Sequence, residues 1–119
     1  MRGDEERVID IFCRWLESRG WTIKREVDFI DILAERGAER LYAEAKGRTS
    51  VIGLDVDILY GQLLRRMSEE ETEQVRFGAV VPEEGRNAAL RVPRRVRNML
   101  RIDIFVVNAD GQVEQVENI

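Results

Sequence analysis

Two carboxylates and a lysine carry the chemistry this chain offers. Glu44 and Lys46 stand in "RLYAEAKGR", residues 40–48, a stretch that reads as a strand. Residues two apart on a strand share a face, so the acid and the ammonium project to the same side. Asp31 lies upstream in "FIDILA", and "ERGAER" between the two stretches holds Gly37 and reads as a hairpin turn. Pairing Glu35 with Arg40 across that turn puts Asp31 directly opposite Glu44. Cross-strand neighbours have Cβ atoms about 4.5–5.5 Å apart, and like charges so placed are destabilising.

Two carboxylates facing each other on an apolar hairpin need a cation or a raised pKa. A divalent metal supplies the cation. Asp31 and Glu44 are hard oxygen ligands, and the Ala45 carbonyl is a candidate third. Mg²⁺ (or Mn²⁺) suits such a set, because Mg²⁺ keeps several waters and takes one or two carboxylates plus phosphate oxygens. Lys46 then sits one step along the same face, beside the attacking water or the phosphate. Of the nineteen basic residues only Lys24 and Lys46 are lysines. A lysine here is therefore informative, because its compact ammonium can be desolvated and retuned as a guanidinium cannot.

The pattern Asp31, Glu44, Lys46, on a hairpin that follows a helix and a strand, resembles the PD-(D/E)XK nuclease superfamily. Ile30 stands where the name-giving proline would. The resemblance implies a restriction-endonuclease-like fold, acids that bind Mg²⁺ and a lysine that helps activate water for phosphodiester hydrolysis. It also implies products with 5′-phosphates. Members often carry an acid on the first helix, where Glu5 or Glu6 matches here, and some carry a glutamine on the helix after the motif, where Gln62 is the candidate. The expectation is a metal-dependent DNA endonuclease of restriction, repair or junction-resolving type. Without a separate recognition module, it would act as a homodimer or beside a targeting partner protein.

The elements that must position these residues follow from periodicity. Residues 4–19 read as an amphipathic helix with Val8, Phe12, Trp15 and Leu16 on one stripe and Gly20 as its stop. Residues 21–27 alternate as a strand, and 28–34 continue as a second strand after a bend near Val27–Asp28, which turns Asp28 to the face opposite Asp31. The strand 40–46 follows, then a loop over 47–54. A helix over 55–67 has Val56, Leu59, Tyr60, Leu63, Leu64 and Met67 on one stripe, for the core or a dimer contact. Tyr42 shares the face of Glu44 and is read as packing. The acidic run 69–73 is expected at a solvated helix end or loop. "RFGAVV", 76–81, is a short buried strand closed by Pro82; 87–91 has helical character. Pro93 suits the first turn of a helix running to Leu100, with Val96, Met99 and Leu100 inward. "IDIFVVN", "ADG" and "QVEQV" are strand, turn and edge strand. The order is α-β-β-β-α-β-α-β-β, an α/β (α+β) fold with a central mixed β-sheet flanked by helices.

Composition bounds the rest. The 119 residues fit one domain, and 44% hydrophobic content suffices for a core. No apolar run approaches the ~20 residues of a membrane span, and no signal-peptide pattern opens the chain. Cys13 is the only cysteine, which excludes an intramolecular disulfide and fits the cytoplasm; its apolar neighbours make it a packing residue. The lack of histidine removes Ser-His-Asp catalysis and histidine zinc sites. Net charge is −4, yet residues 86–101 hold six arginines and no acid. Arg94 and Arg97 on the helix after Pro93, with Arg48, Arg65 and Arg66, are the candidate phosphate contacts, which give affinity without sequence information. The alternative function is a non-catalytic nucleic-acid-binding or oligomerisation module on the same fold. A hydrolase of small phosphate esters is disfavoured because no phosphate-cradling glycine loop is present.

Overall fold

The computed structural model describes residues 3–68 and 72–117. Six strands form one mixed sheet in sequential order: β1 (Thr22–Val27), β2 (Ile30–Arg36), β3 (Glu39–Ala45), β4 (Val75–Pro82), β5 (Ile102–Val107) and β6 (Val113–Gln115). Strands β1 to β3 form an antiparallel meander, β3–β4 and β4–β5 are parallel, and β6 returns antiparallel at the edge. Parallel neighbours need crossovers. Helix α2 (Ile52–Arg66) makes the first. A 3₁₀ turn (Glu83–Gly85), α3 (Arg86–Ala89) and α4 (Arg94–Leu100) make the second. The helical character expected over 87–91 is α3, which the expected order did not count as a separate element, and the 3₁₀ turn before it was not foreseen, because three residues carry too little periodicity to read.

One apolar layer lies on each face of the sheet. Helix α1 (Gly3–Glu17) buries Val8, Phe12 and Leu16 against Ile32, Ala43, Ala45 and Val80. Helix α2 buries Val56, Leu59, Tyr60 and Leu63 against Leu33, Phe77, Ala79 and Val81 on the other face. Strand β5, covered on both sides, is buried at all six positions, which is why it reads as a continuous apolar run. Its one acid, Asp103, is gripped by the Arg76 guanidinium through bonds of 2.7 and 2.8 Å.

Local chemistry sets the element ends. Helix α1 closes with Trp21 N–H bonded to the Leu16 carbonyl and Gly20 N–H bonded to that of Glu17. This double bond is a Schellman cap, and Gly20 at φ +88° supplies the left-handed residue it needs. The β1–β2 connection differs from the expected bend. Asp28 and Phe29, at φ +53° and +64°, form a two-residue hairpin turn of the primed type, so β2 begins at Ile30 and Asp28 lies in the turn. The stripe Val56 to Leu63 serves the core. Leu64, expected on that stripe, is exposed instead, as are Leu54 and Ile58 on the far side of α2 and Val51 just before it. Residues 69–71 of the acidic run lie outside the described residues.

Candidate metal and phosphodiester site

The β2–β3 ladder pairs Glu35 with Arg40 and runs to Ile32–Ala43, so the next step sets Asp31 across from Glu44. There the ladder gives way to a side chain: Ala45 N–H donates to Asp31 Oδ2 at 2.9 Å. On the other flank, Glu26 stands between the paired positions Arg25–Ile32 and Val27–Ile30, at φ +54°, a conformation side chains rarely adopt. The sheet thus loses regular pairing on both sides of Asp31. A strand residue points its N–H and C=O to the same side. The Ala45 carbonyl therefore also faces β2, beyond the last ladder pair, while Lys46 N–H turns the other way to Val80.

Glu44 is 3% exposed, and its Oε1 has no hydrogen-bond partner among the described residues. Burial, then the adjoining Asp31 carboxyl, push its pKa up to about 8, against the pull of Lys46 and Arg66. Two carboxyls this close can bond only while one keeps a proton. Without a cation the Glu44 carboxyl is held toward its neutral form. With one, both carboxyls would be ionised ligands.

Lys46 opens into a cleft of about 400 Å³ that Asp4, Glu5, Arg48, Thr49 and Asp55 also line. This cleft lies at the carboxyl end of β3, between the first turns of α1 and α2, where α/β sheets bind ligands. Gly47 holds α1 there. A Cβ at Gly47 would lie 2.3 Å from the Glu5 nitrogen and 2.6 Å from the Asp4 carbonyl carbon. Asp4 ties the junction from the other side, accepting from Arg48 N–H and from Arg7 Nε at 3.0 Å. Burial opposes ionisation of Asp4, but these bonds hold its carboxyl below the usual range. Of the two acids proposed on α1, Glu5 lines the cleft with Lys46. Glu6 is exposed and is not among the residues lining it.

Helix α2 flanks the carboxylates with Asp55, Leu59, Gln62 and Arg66, whose spacing of three or four puts them on one side. Leu59 is fully buried on the sheet. Gln62 Oε1 is buried without a partner, so Gln62 and Glu44 each carry an unsatisfied buried oxygen. Arg66 donates to the Asp28 carbonyl and lies 5.9 Å from the Phe29 ring. Tyr42 stacks on Phe77, centroids 5.9 Å apart, as packing.

The arginines divide. Arg48, Arg65 and Arg94 are exposed, Arg48 lying 3.8 Å from Glu84. Arg97 corrects the expected basic face. It is 3% exposed and donates to the Val92 carbonyl at 2.6 Å. The inward side of the short α4 is formed by Val96, Arg97 and Leu100, which turns Met99 outward to 73% exposure. Sequence reasoning also missed Asp4, Asp55 and the Gly47 contact. A glycine directly after the motif lysine was the available signal for the last.

Among the described residues, no three or more Cys, Asp or Glu side chains gather closely enough to hold a metal. The donors here are two carboxylates and a backbone carbonyl, which suit a hard cation that keeps part of its water. Among the described residues, no helix is long and apolar enough to cross a membrane. No protein-family model and no curated protein matches the chain. Solved structures do resemble it. An XisH family protein from Nostoc punctiforme aligns with TM-score 0.61 and 18% identity, over 93% of this chain and 99% of its own. An fdxN element excision controlling factor protein from Anabaena variabilis aligns with TM-score 0.61 and 16% identity, over 94% of this chain and 99% of its own. At these identities the likeness shows a shared fold, a mixed α+β sheet flanked by helices, along nearly the whole of each chain.

Proposed function

We propose that this chain is a divalent-metal-dependent DNA endonuclease of the PD-(D/E)XK kind. The observation that carries this reading is the apposed carboxylate pair, Glu44 buried and Asp31 half-buried. Asp31 and Glu44 face each other where the ladder ends, and Glu44 Oε1 is left without a partner. A packing role gives no reason to retain two apposed acids, since an unsatisfied buried oxygen costs ~1–3 kcal/mol. The donor set fits Mg²⁺ or Mn²⁺, with Asp31, Glu44 and the Ala45 carbonyl as its protein ligands. When bound, the cation would lower the pKa of water and neutralise charge on the phosphoryl oxygens.

The chain's own residues do the rest. Asp31 holds the Ala45 amide and so fixes the strand end that carries both Glu44 and Lys46. Lys46, in the open cleft, offers its ammonium to the water nucleophile and to the phosphate charge that grows in the transition state. Glu5 faces the same cleft and is the acid of α1 placed to orient that water. Gln62, whose buried oxygen has no hydrogen-bond partner among the described residues, would take a ligand or water from α2. Arg48, Arg65, Arg66 and Arg94 would contact backbone phosphates, which gives affinity to an acidic protein where its basic groups meet the DNA. One structural neighbour is named for control of element excision. We extend that setting to this chain, as a protein that acts where a DNA strand is cut.

A domain this small contacts few base pairs, so two copies would act together or beside a targeting partner, in the cytoplasm. The exposed stripe Val51, Leu54 and Ile58 suits the first arrangement. The non-catalytic binding module remains the second reading, and that exposed stripe favours it as well. Incubation with supercoiled, linear, branched and single-stranded DNA separates the two. The nuclease reading expects nicking with Mg²⁺ or Mn²⁺ that disappears in Asp31→Asn and Glu44→Gln. Binding without cleavage on every substrate and with either metal would leave the module.

A further inference from the structure

Trp15 and Trp21, the chain's only tryptophans, line a single cavity of about 380 Å³ on the α1 face of the sheet. The cavity meets β3 at Arg40 and Leu41, at the opposite end of the strand from Lys46, and shares no residue with the cleft there. Four guanidiniums line it in a protein of net charge −4: Arg19, Arg36, Arg40 and Arg76. Two of them lie over the indoles. Arg19 Cζ is 4.1 Å from the Trp15 ring centroid, and Arg36 Cζ is 4.5 Å from that of Trp21.

The electrostatics favour an anion. Asp103 is the one lining carboxylate, and Arg76 consumes it through its two bonds. Arg36 and Arg40 pair with Glu39 and Glu35 outside the lining at 3.0 and 2.9 Å. Those pairs are half exposed, are worth at most ~1 kcal/mol each, and can be exchanged for a phosphate. Arg19 is exposed and has no carboxylate partner among the described residues. The floor is apolar, from Leu16, Leu41 and Phe105. Indoles and guanidinium planes beside an apolar floor take a flat heteroaromatic ring, and Arg19, with Arg36 once it exchanges Glu39, takes its charge. The volume lies at the low end of the range of small-ligand sites, roughly 300–1,000 Å³.

We propose that this cavity binds a nucleotide, its base against the indole–guanidinium layers and its phosphate on Arg19 and Arg36. The site stands independently of the carboxylate pair. The nucleotide has two sources, free in solution or unpaired in a DNA strand.

Tryptophan fluorescence reports on this cavity, because both emitters line it; Trp15 also borders a second cleft with Arg86 and Glu114, so the Arg19 and Arg36 variants assign the signal. Titration of the full chain with thymidine monophosphate, oligothymidylate, thymidine and inorganic phosphate reads the binding directly. Saturable quenching by the monophosphate, at least about tenfold tighter than by thymidine, is expected, because a charge-assisted contact contributes on the order of 1.4 kcal/mol or more. An equal response to the oligomer identifies a free nucleotide, and a tighter one identifies an unpaired strand. Arg19→Ala should weaken binding several-fold, and Arg14→Ala, outside the cavity, should not. No saturable change with monophosphate or oligomer overturns the proposal, as does equal binding of thymidine and its monophosphate. Unchanged affinity in both Arg19→Ala and Arg36→Ala overturns it too.

Discussion

Replacing Glu44 with glutamine keeps the side chain's shape and removes the charge its surroundings resist. In the folded chain Glu44 keeps its proton to about pH 8, against an ordinary value of 4.5. Between those values the folded state binds a proton that the unfolded chain has released. The stabilisation is complete below the unfolded value and is lost as pH climbs toward 8. At about 1.4 kcal/mol per pH unit, the loss from about pH 5 to about pH 8 without metal is on the order of 4 kcal/mol at most, less as water reaches the carboxylate. Glu44→Gln lacks this dependence. The variant should match the wild type near pH 5 and exceed its stability near pH 8. Urea unfolding followed by circular dichroism, in chelator across that range, measures both slopes. Saturating Mn²⁺ should restore ~2.7 kcal/mol to the wild type at a hundred times its Kd, and should add little to the variant. Parallel pH dependences of the two proteins in chelator would refute the reasoning, because Glu44 would then ionise in the fold as freely as in water.

Three further outcomes follow from the same geometry. Gly47→Ala drives a methyl group into the backbone of Asp4 and Glu5; it should cost roughly 1–3 kcal/mol of overpacking and raise amide exchange in the first turn of α1. Lys46→Ala should abolish cleavage while leaving Mn²⁺ and DNA binding within about twofold, and unchanged cleavage would remove Lys46 from the mechanism. Arg97→Ala should lower stability by about 1–3 kcal/mol without altering the salt dependence of DNA binding, because Arg97 serves the Val92 carbonyl. Arg94→Ala should leave stability unchanged and reduce the slope of log K against log salt by about one.

The parts legible in the sequence are those fixed by strong local signals. Gly37 marks the β2–β3 turn, and the Glu35–Arg40 register follows from it, so Asp31 and Glu44 were placed face to face from the chain alone. The α1 stripe and the buried β5 run are equally local. The β1–β2 turn was not legible, because Asp28 and Phe29 adopt positive φ without glycine or asparagine to announce it. Its geometry is imposed by strand pairing on both sides. Arg97 misled for a similar reason. A helix of seven residues has little periodicity, and burial of a guanidinium depended on a carbonyl at Val92 that no spacing reveals. The contact of Gly47 with α1 joins residues more than forty positions apart and emerges only on folding.

The central claim is that Asp31 and Glu44 form a cation site, and calorimetric titration with Mn²⁺ tests it most directly. Near pH 7 the wild type should bind one Mn²⁺ per chain and release a proton, visible as a heat that changes with the ionisation enthalpy of the buffer. Asp31→Asn and Glu44→Gln should each lose binding by tenfold or more, about 1.4 kcal/mol or greater. Absence of Mn²⁺ binding by the wild type with and without DNA, or undiminished binding in both variants, would contradict the account.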